Sequence, residues 1–303
     1  MDYLARYAKF LKSVLKPSRL VRVVFDSSNG ATGLVAHEVC GDKKNLKAIF
    51  VNDNPDGNFP AHGPNPMTEA AIQDISAWVR RNRADLGAIY DADGDRVLFI
   101  DDRGRQLFPD IAAFLMSKYF RGPIGIDLRV GYLAKELLKE AKRKLVETPV
   151  GTYYIKKIMR AKKIPFAAEI TGHYYFRFGD AYFDSGMVAT MYMINAVADL
   201  KKQKYSLSAW IDAQTQFYRQ PEINFELQDK AGAIRRIEKA YKHKAEKITK
   251  FDGLKMEFSD WWLSVRPSAN DPVLRLNLEA KTKKVFERRL KELKKLIIGA
   301  SGD

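Results

Sequence analysis

The stretch "LGAIYDADGDRVLFID", residues 86 to 101, decides how this chain reads. Leu86 to Tyr90 is an uncharged, buried-looking strand that runs straight into Asp91, Asp93 and Asp95 at alternate positions, with Gly94 between the last two and Arg96 after them. Side chains alternate faces in an extended segment, so the three carboxylates can point the same way. Gly94 permits a tight turn that brings their oxygens together. Carboxylates crowded this closely repel, so something positive belongs among them. Oxygen-only ligands at this density suit a hard cation, with magnesium keeping water or a phosphate oxygen in its open positions. A calcium loop of the EF-hand type begins in the same way, but it needs glycine at its sixth position, where Arg96 stands. The remaining reading is an acidic surface turn without a ligand. A cation followed by a fixed guanidinium would form a two-part clamp for a phosphoryl group.

Working outward, strand and helix alternate on both sides. "LVRVVFD" (20 to 26) and "KAIFVN" (47 to 52) read as strands, with a helix in "GATGLVAHEVC" between them. Six Pro and Gly residues between Pro55 and Pro66 mark a long loop, and Thr68 then opens the helix "EAAIQDISAWVRRN". After the turn "DDRG" a second βα series runs to about residue 215; beyond it come several strands with only two helices. The expected architecture is two consecutive α/β domains with mixed sheets, over 1–103 and 104–215, followed by a smaller α+β domain over 216–303.

The 303 residues carry 46% hydrophobic content, enough for a sizeable core, and no apolar run approaches a membrane span. Cys40 is the only cysteine, so no internal disulfide is possible and a cytoplasmic location is expected. The net charge of +15 raises the question of nucleic acid. The lysines are spread along amphipathic segments such as "KTKKVFERRLKELKKL", which read as solvated helix faces. A basic field also suits small anionic substrates, so nucleic acid and membrane are not the expected partners.

Two further constellations stand out. "RPSANDPVLRLNLEA" (266 to 280) is a polar loop between apolar strands, where Arg266, Ser268, Asn270 and backbone N–H groups could surround a phosphate. Leu274, Leu276 and Leu278 alternate with Arg275, Asn277 and Glu279, leaving one strand face polar. "AAEITGHYYFRFGD" (167 to 180) ends a strand with Glu169, suited to paired sugar hydroxyls, and then offers Thr171 and His173. A histidine beside tyrosines is also a common structural residue.

Aspartate loop, E-x-T-G-H and R-P-S loop occur in one order, and together they resemble the α-D-phosphohexomutase family, which interconverts sugar 1-phosphates and 6-phosphates. The family's D-x-D-G-D-R is matched at 91 to 96, its G-E-M-S-G-H resembles "AEITGH", and its R-P-S-[NG]-T-E-P resembles "RPSANDP". Smaller matches are "DSSNGATG", "NFPAHGPNP" and "VGTYYIKK", and the resemblance covers nearly the whole chain. It implies magnesium held by Asp91, Asp93 and Asp95, with Arg96 on the transferring phosphoryl group. It implies substrate contacts from Arg129, Gly151, Thr152, Glu169, Thr171 and His173, and a phosphate grip from Arg266, Ser268, Asn270 and Arg275. It also implies a glucose 1,6-bisphosphate-type activator and a hexose phosphate substrate. Ile170, unlike the glutamine of the glucosamine branch, points toward mannose and glucose phosphates.

The departures carry weight. The family's first domain bears T-A-S-H-N-P, whose serine is the phosphorylated nucleophile, and no such motif occurs here. Ser27 and Ser28 sit in the loop that opens the family's second domain and do not replace it. The expectation is therefore three of four domains, incomplete alone, with the serine on a separate domain or chain. A non-catalytic sugar-phosphate binder is the alternative. Asn270 and Asp271 replace threonine and glutamate in the phosphate loop, and Thr152 stands where histidine is common.

Overall fold

The computed structural model describes residues 2–41, 43–214, 217–268 and 272–299. The opening helix α1 (Tyr3–Val14) is capped by the Asp2 carboxylate, which accepts from Ala5 N at 2.9 Å. It leads into β1 (Val21–Asp26), α2 (Thr32–Cys40), β2 (Leu46–Val51), α3 (Glu69–Arg81), β3 (Leu86–Tyr90) and β4 (Val97–Asp101). The sheet order is β2-β1-β3-β4, parallel except for the β3/β4 pair. β3 and β4 are buried along their whole length, as the uncharged run predicts.

A second sheet is built from α4 (Pro109–Ser117), β5 (Ile124–Asp127), α5 (Tyr132–Glu140), β6 (Leu145–Thr148), α6 (Thr152–Lys162), β7 (Phe166–Ala168), β8 (Tyr174–Phe178) and β9 (Ala181–Asp184). Its order is β6-β5-β7-β8-β9, with β5 and β7 parallel and the last two pairings antiparallel. Helices α7 (Gly186–Lys202) and α8 (Leu207–Asp212) follow. α7 is apolar around most of its circumference and buried to match, packing on β1, β3, β4, α1 and α4. The Tyr90 hydroxyl donates to Thr190 on α7 at 2.7 Å inside that packing. One largely buried helix thus packs on three strands of the first sheet as well as on α1 and α4.

The C-terminal portion has β10 (Tyr218–Arg219), β11 (Ile223–Glu226), α9 (Lys230–Tyr241), β12 (Lys247–Thr249), β13 (Leu254–Glu257), β14 (Trp261–Pro267), β15 (Val273–Ala280) and α10 (Lys283–Ile298). All its strand pairings are antiparallel, in the order β10-β15-β14-β13-β12 with β11 also on β15. Leu263, Val265, Leu274, Leu276 and Leu278 on the inner face pack against Ile237 of α9 and Phe286, Leu293 and Ile297 of α10. Each such buried side chain contributes roughly 1.5–3 kcal/mol. The chain is α/β with mixed sheets, closed by an α+β portion. Contacts gather it into two units: Met1–Ile126, Leu137–Val146 and Gly151–Gln214 form the first, and Asp127–Glu136, Glu147–Val150 and Thr215–Asp303 the second. Among the described residues no helix is long and apolar enough to cross a membrane.

Candidate active site and anion-binding elements

In the first unit the aspartate loop lies between β3 and β4, at the end where the parallel strands point. The segment is not extended, contrary to the alternation argument: residues 92–95 bend, and Gly94 sits at φ +75°. The carboxylates converge because the chain turns under them. One oxygen each from Asp91, Asp93 and Asp95 lies within 4.8 Å of the others. The loop is held from several sides. Ala31 N donates to Ala92 O at 2.9 Å, Ser28 Oγ to Tyr90 O at 2.5 Å, and Gly186 N to Gly94 O at 2.9 Å. Ser27 and Ser28 are buried, which fits a supporting role.

The positive group found among the carboxylates is Arg96. Its Nε donates to Asp91 Oδ2 at 2.6 Å, while the backbone N–H groups of Gly94 and Arg96 both donate to Asp91 Oδ1 at 3.1 Å. Burial pushes the Asp95 carboxyl up to about 6; Asp91 and Asp93 add to this, and His173 opposes it. Three carboxylate oxygens held this close, with no more than one guanidinium among them, fit a hard divalent cation.

An isolated bridge joins Arg96 to His173, and Val97 N donates to Gly172 O at 3.0 Å, so the aspartate loop and the E-x-T-G-H loop are neighbours. Glu169 follows β7 and is 5% exposed. Its N–H donates to His173 O at 2.9 Å, and Gly172 at φ +95° completes the tight β7–β8 connection. Thr171 Oγ1 is buried with no hydrogen-bond partner. His173 Nδ1 faces Asp184 at 3.4 Å and Asp95 at 3.7 Å. Burial disfavours its charged ring, but Asp184, Glu169 and Asp95 outweigh that and raise its pKa. Asp184, opposed by burial, is drawn down to about 2 by His173 and by Lys156, whose Nζ lies 2.7 Å away. Gly151 at φ +110° precedes α6 and places Thr152 at its first turn, where Thr152 Oγ1 meets the Tyr175 hydroxyl at 3.0 Å. Lys156, Asp184 and Tyr175 were not singled out from the sequence. Lys156 and Tyr175 belong to quoted stretches and Asp184 follows one closely, but nothing in their spacing shows that α6, β8 and β9 bring them together.

In the second unit Arg266 is the last residue but one of β14 and Arg275 lies on β15, directly opposite in the antiparallel register. Like charges facing across a ladder are destabilising without a compensating anion. Arg266 Nε is buried and has no hydrogen-bond partner, and Arg275 Nη2 donates to Ser268 Oγ at 3.4 Å. This arrangement can receive a phosphate; Asn270 lies outside the described residues. Arg129 is turned inward with its side chain 3% exposed, its Nε and Nη2 on Asp127 at 3.0 and 2.9 Å and its Nη1 on Glu222 at 3.3 Å. Glu222, also unread from the sequence, lies 3.6 Å from Arg275 Nη1 and accepts from Asn277 Nδ2 at 2.9 Å.

Comparison with known proteins agrees with this geometry. Models of the phosphoglucomutase/phosphomannomutase family match in series: alpha/beta/alpha domain II over residues 1–104, alpha/beta/alpha domain III over 108–218, and the C-terminal domain over 222–296. The phosphomannomutase of Methanocaldococcus jannaschii is 32% identical over 302 residues, 98% of this chain and 66% of that protein. Curated relatives are thus longer, with this chain spanning between 59% and 66% of them. A phosphoglucomutase/phosphomannomutase family protein from Burkholderia thailandensis shares the fold at TM-score 0.84, with 23% identity over 99% of this chain and 66% of its own. N-acetylphosphoglucosamine mutase of Aspergillus fumigatus, solved with GlcNAc-6P and magnesium, shares it at TM-score 0.66 with 15% identity, over 99% of this chain and 66% of its own. By its sequence along nearly its whole length, this chain belongs to the phosphoglucomutase/phosphomannomutase family.

Proposed function

We propose that this chain carries the metal, sugar and phosphate elements of a mutase that interconverts hexose 1-phosphate and hexose 6-phosphate through a bisphosphosugar, with mannose or glucose as the sugar. The observation that carries the reading is the junction of the aspartate loop with the E-x-T-G-H loop through the Arg96–His173 bridge, inside one unit. Asp91, Asp93 and Asp95 would hold magnesium, which when bound neutralises phosphoryl charge and makes phosphorus easier to attack. Arg96, anchored by Nε on Asp91, keeps terminal N–H groups for the transferring phosphoryl oxygens. Glu169 accepts from sugar hydroxyls, and Arg266, Ser268 and Arg275 grip the phosphate that is not reacting. The donor we assign to a phosphoserine outside these 303 residues, because no T-A-S-H-N-P stretch lies within them.

The test is a coupled turnover assay with glucose 1-phosphate, magnesium and catalytic glucose 1,6-bisphosphate, run with and without an added serine-bearing domain from a relative. Turnover that requires the added domain and dies in Asp93→Ala supports the reading. Turnover without it would place a donor within this chain. Tight sugar-phosphate binding with no turnover under either condition would favour a binding role and overturn the mutase assignment.

A further inference from the structure

Beneath Glu169 a three-member hydrogen-bond chain has a fixed direction. The Tyr175 hydroxyl donates to Glu169 Oε2 at 3.0 Å and lies 3.0 Å from Thr152 Oγ1. Tyr175 has one proton, and a carboxylate can only accept, so that proton goes to Glu169. Thr152 must then donate its own proton to the Tyr175 oxygen. Burial, and after it the Glu169 charge, hold the Tyr175 phenol far above its usual range, so it remains a donor at any working pH. Tyr175 is fully buried and its ring stacks on His173 at 5.9 Å between centroids, which leaves the phenol no room to swing away. With its proton committed inward, the hydroxyl of the partly exposed Thr152 has only lone pairs left to offer a ligand.

Resting on the reading of this unit as a sugar-phosphate site, we propose that Tyr175 is a positioning residue that makes Thr152 a pure acceptor beside the Glu169 carboxylate, so that the site selects sugars presenting donor hydroxyls there and rejects groups that can only accept. Vicinal hydroxyls satisfy both acceptors. A fluorine, an ether oxygen or an amide carbonyl at the same position leaves acceptor facing acceptor, a desolvated mismatch that a site built to bond a hydroxyl rejects strongly. Phenylalanine at 175 would preserve the packing and free the Thr152 proton to turn outward. Discrimination would fall even where affinity for the hydroxyl sugar changed little.

The experiment is calorimetric binding of glucose 6-phosphate and its monodeoxy-monofluoro analogues, one for each ring hydroxyl, to the wild-type chain, Tyr175→Phe, Thr152→Val and Thr152→Ser. Thermal melts check folding. For wild type, at least one fluoro analogue is expected to bind roughly ten-fold or more weakly than the parent, the loss of a hydrogen bond to a charged or committed acceptor. In Tyr175→Phe and Thr152→Val the ratio for the analogue fluorinated at the hydroxyl facing Thr152 collapses toward about three-fold or less, while any discrimination set by the Glu169 carboxylate persists, and Thr152→Ser, which keeps the relay, retains the wild-type ratio. A purely structural role would lower both affinities together and leave the ratio unmoved; that result, or no discrimination at any position in wild type, overturns the inference while the sugar-phosphate reading stands. Should Tyr175→Phe fail to fold, the Thr152 pair decides. Failure of wild type to bind any hexose phosphate overturns the site reading itself, and the inference with it.

Discussion

Gly30 lies outside the aspartate loop, yet its substitution by alanine is the sharpest probe of how that loop is held. Its φ is not positive, so alanine brings no backbone strain. A Cβ there would stand 2.3 Å from the Ala92 carbonyl oxygen and 2.8 Å from its carbon and Cα, all rigid backbone. Reaching ordinary contact near 3.4 Å needs a retreat of about 1 Å by a peptide between Asp91 and Asp93. The Ala31 N–H to Ala92 O bond at 2.9 Å would break or stretch, costing about 1 kcal/mol. Overpacking adds roughly 1–3 kcal/mol. A total near 2–4 kcal/mol corresponds to a fall in Tm of roughly 5–15 °C for a unit of this size. Metal ligands must be held to about 0.5 Å, so magnesium affinity should drop at least ~10-fold. Scanning fluorimetry reads the first effect and calorimetric titration of magnesium the second. Gly57→Ala is the control, since nothing lies within 4 Å of a Cβ there. Wild-type magnesium affinity with a loss below about 0.5 kcal/mol would refute the argument that Gly30 sets the loop's position.

Four other outcomes test other parts of the chain. Arg96→Ala leaves the buried Asp91 carboxylate without its 2.6 Å partner and should destabilise by about 1–3 kcal/mol, with saturating magnesium restoring part of the loss in a melt. In the second unit, Glu147 is opposed by burial but drawn from 4.5 to about 2 by Lys255 and Lys135, so its contribution is present above pH 4.5 and disappears as pH falls toward 2. Burial, reinforced by Lys135, takes Lys255 down to about 8 in spite of Glu147, so stability should instead rise as pH climbs from 8 toward 10.5. Denaturant titrations across both ranges, with Glu147→Gln and Lys255→Met flattening the acid and alkaline limbs respectively, check these signs. Glu222→Gln removes a carboxylate shared by Arg129 and Arg275, and orthophosphate should bind several-fold tighter with a steeper salt dependence; weaker binding would show that Glu222 serves to orient the arginines.

Much of this protein was legible in one dimension because its signals are local. The uncharged run before Asp91 predicts a buried strand; alternation from Leu274 to Leu278 predicts one apolar face; Thr68, a good cap, stands where α3 begins. The three aspartates announce a shared oxygen cluster because Gly94 between the last two licenses a turn; fully extended, the same stretch would hold Asp91 and Asp95 roughly 13 Å apart. Partners distant in sequence were not legible. Tyr175 reads as one member of an aromatic run, and only the pairing of β7 with β8, together with the start of α6, sets its hydroxyl between Thr152 and Glu169. Arg129 reads as a basic residue after a strand, and the fold turns it onto Asp127 and Glu222. Composition and short spacing determined which elements form and which chemistries they can hold, since those depend on neighbours a few residues away. Which side chains share a proton or a charge was decided by tertiary packing, because such contacts join positions that only the sheets and α7 bring together.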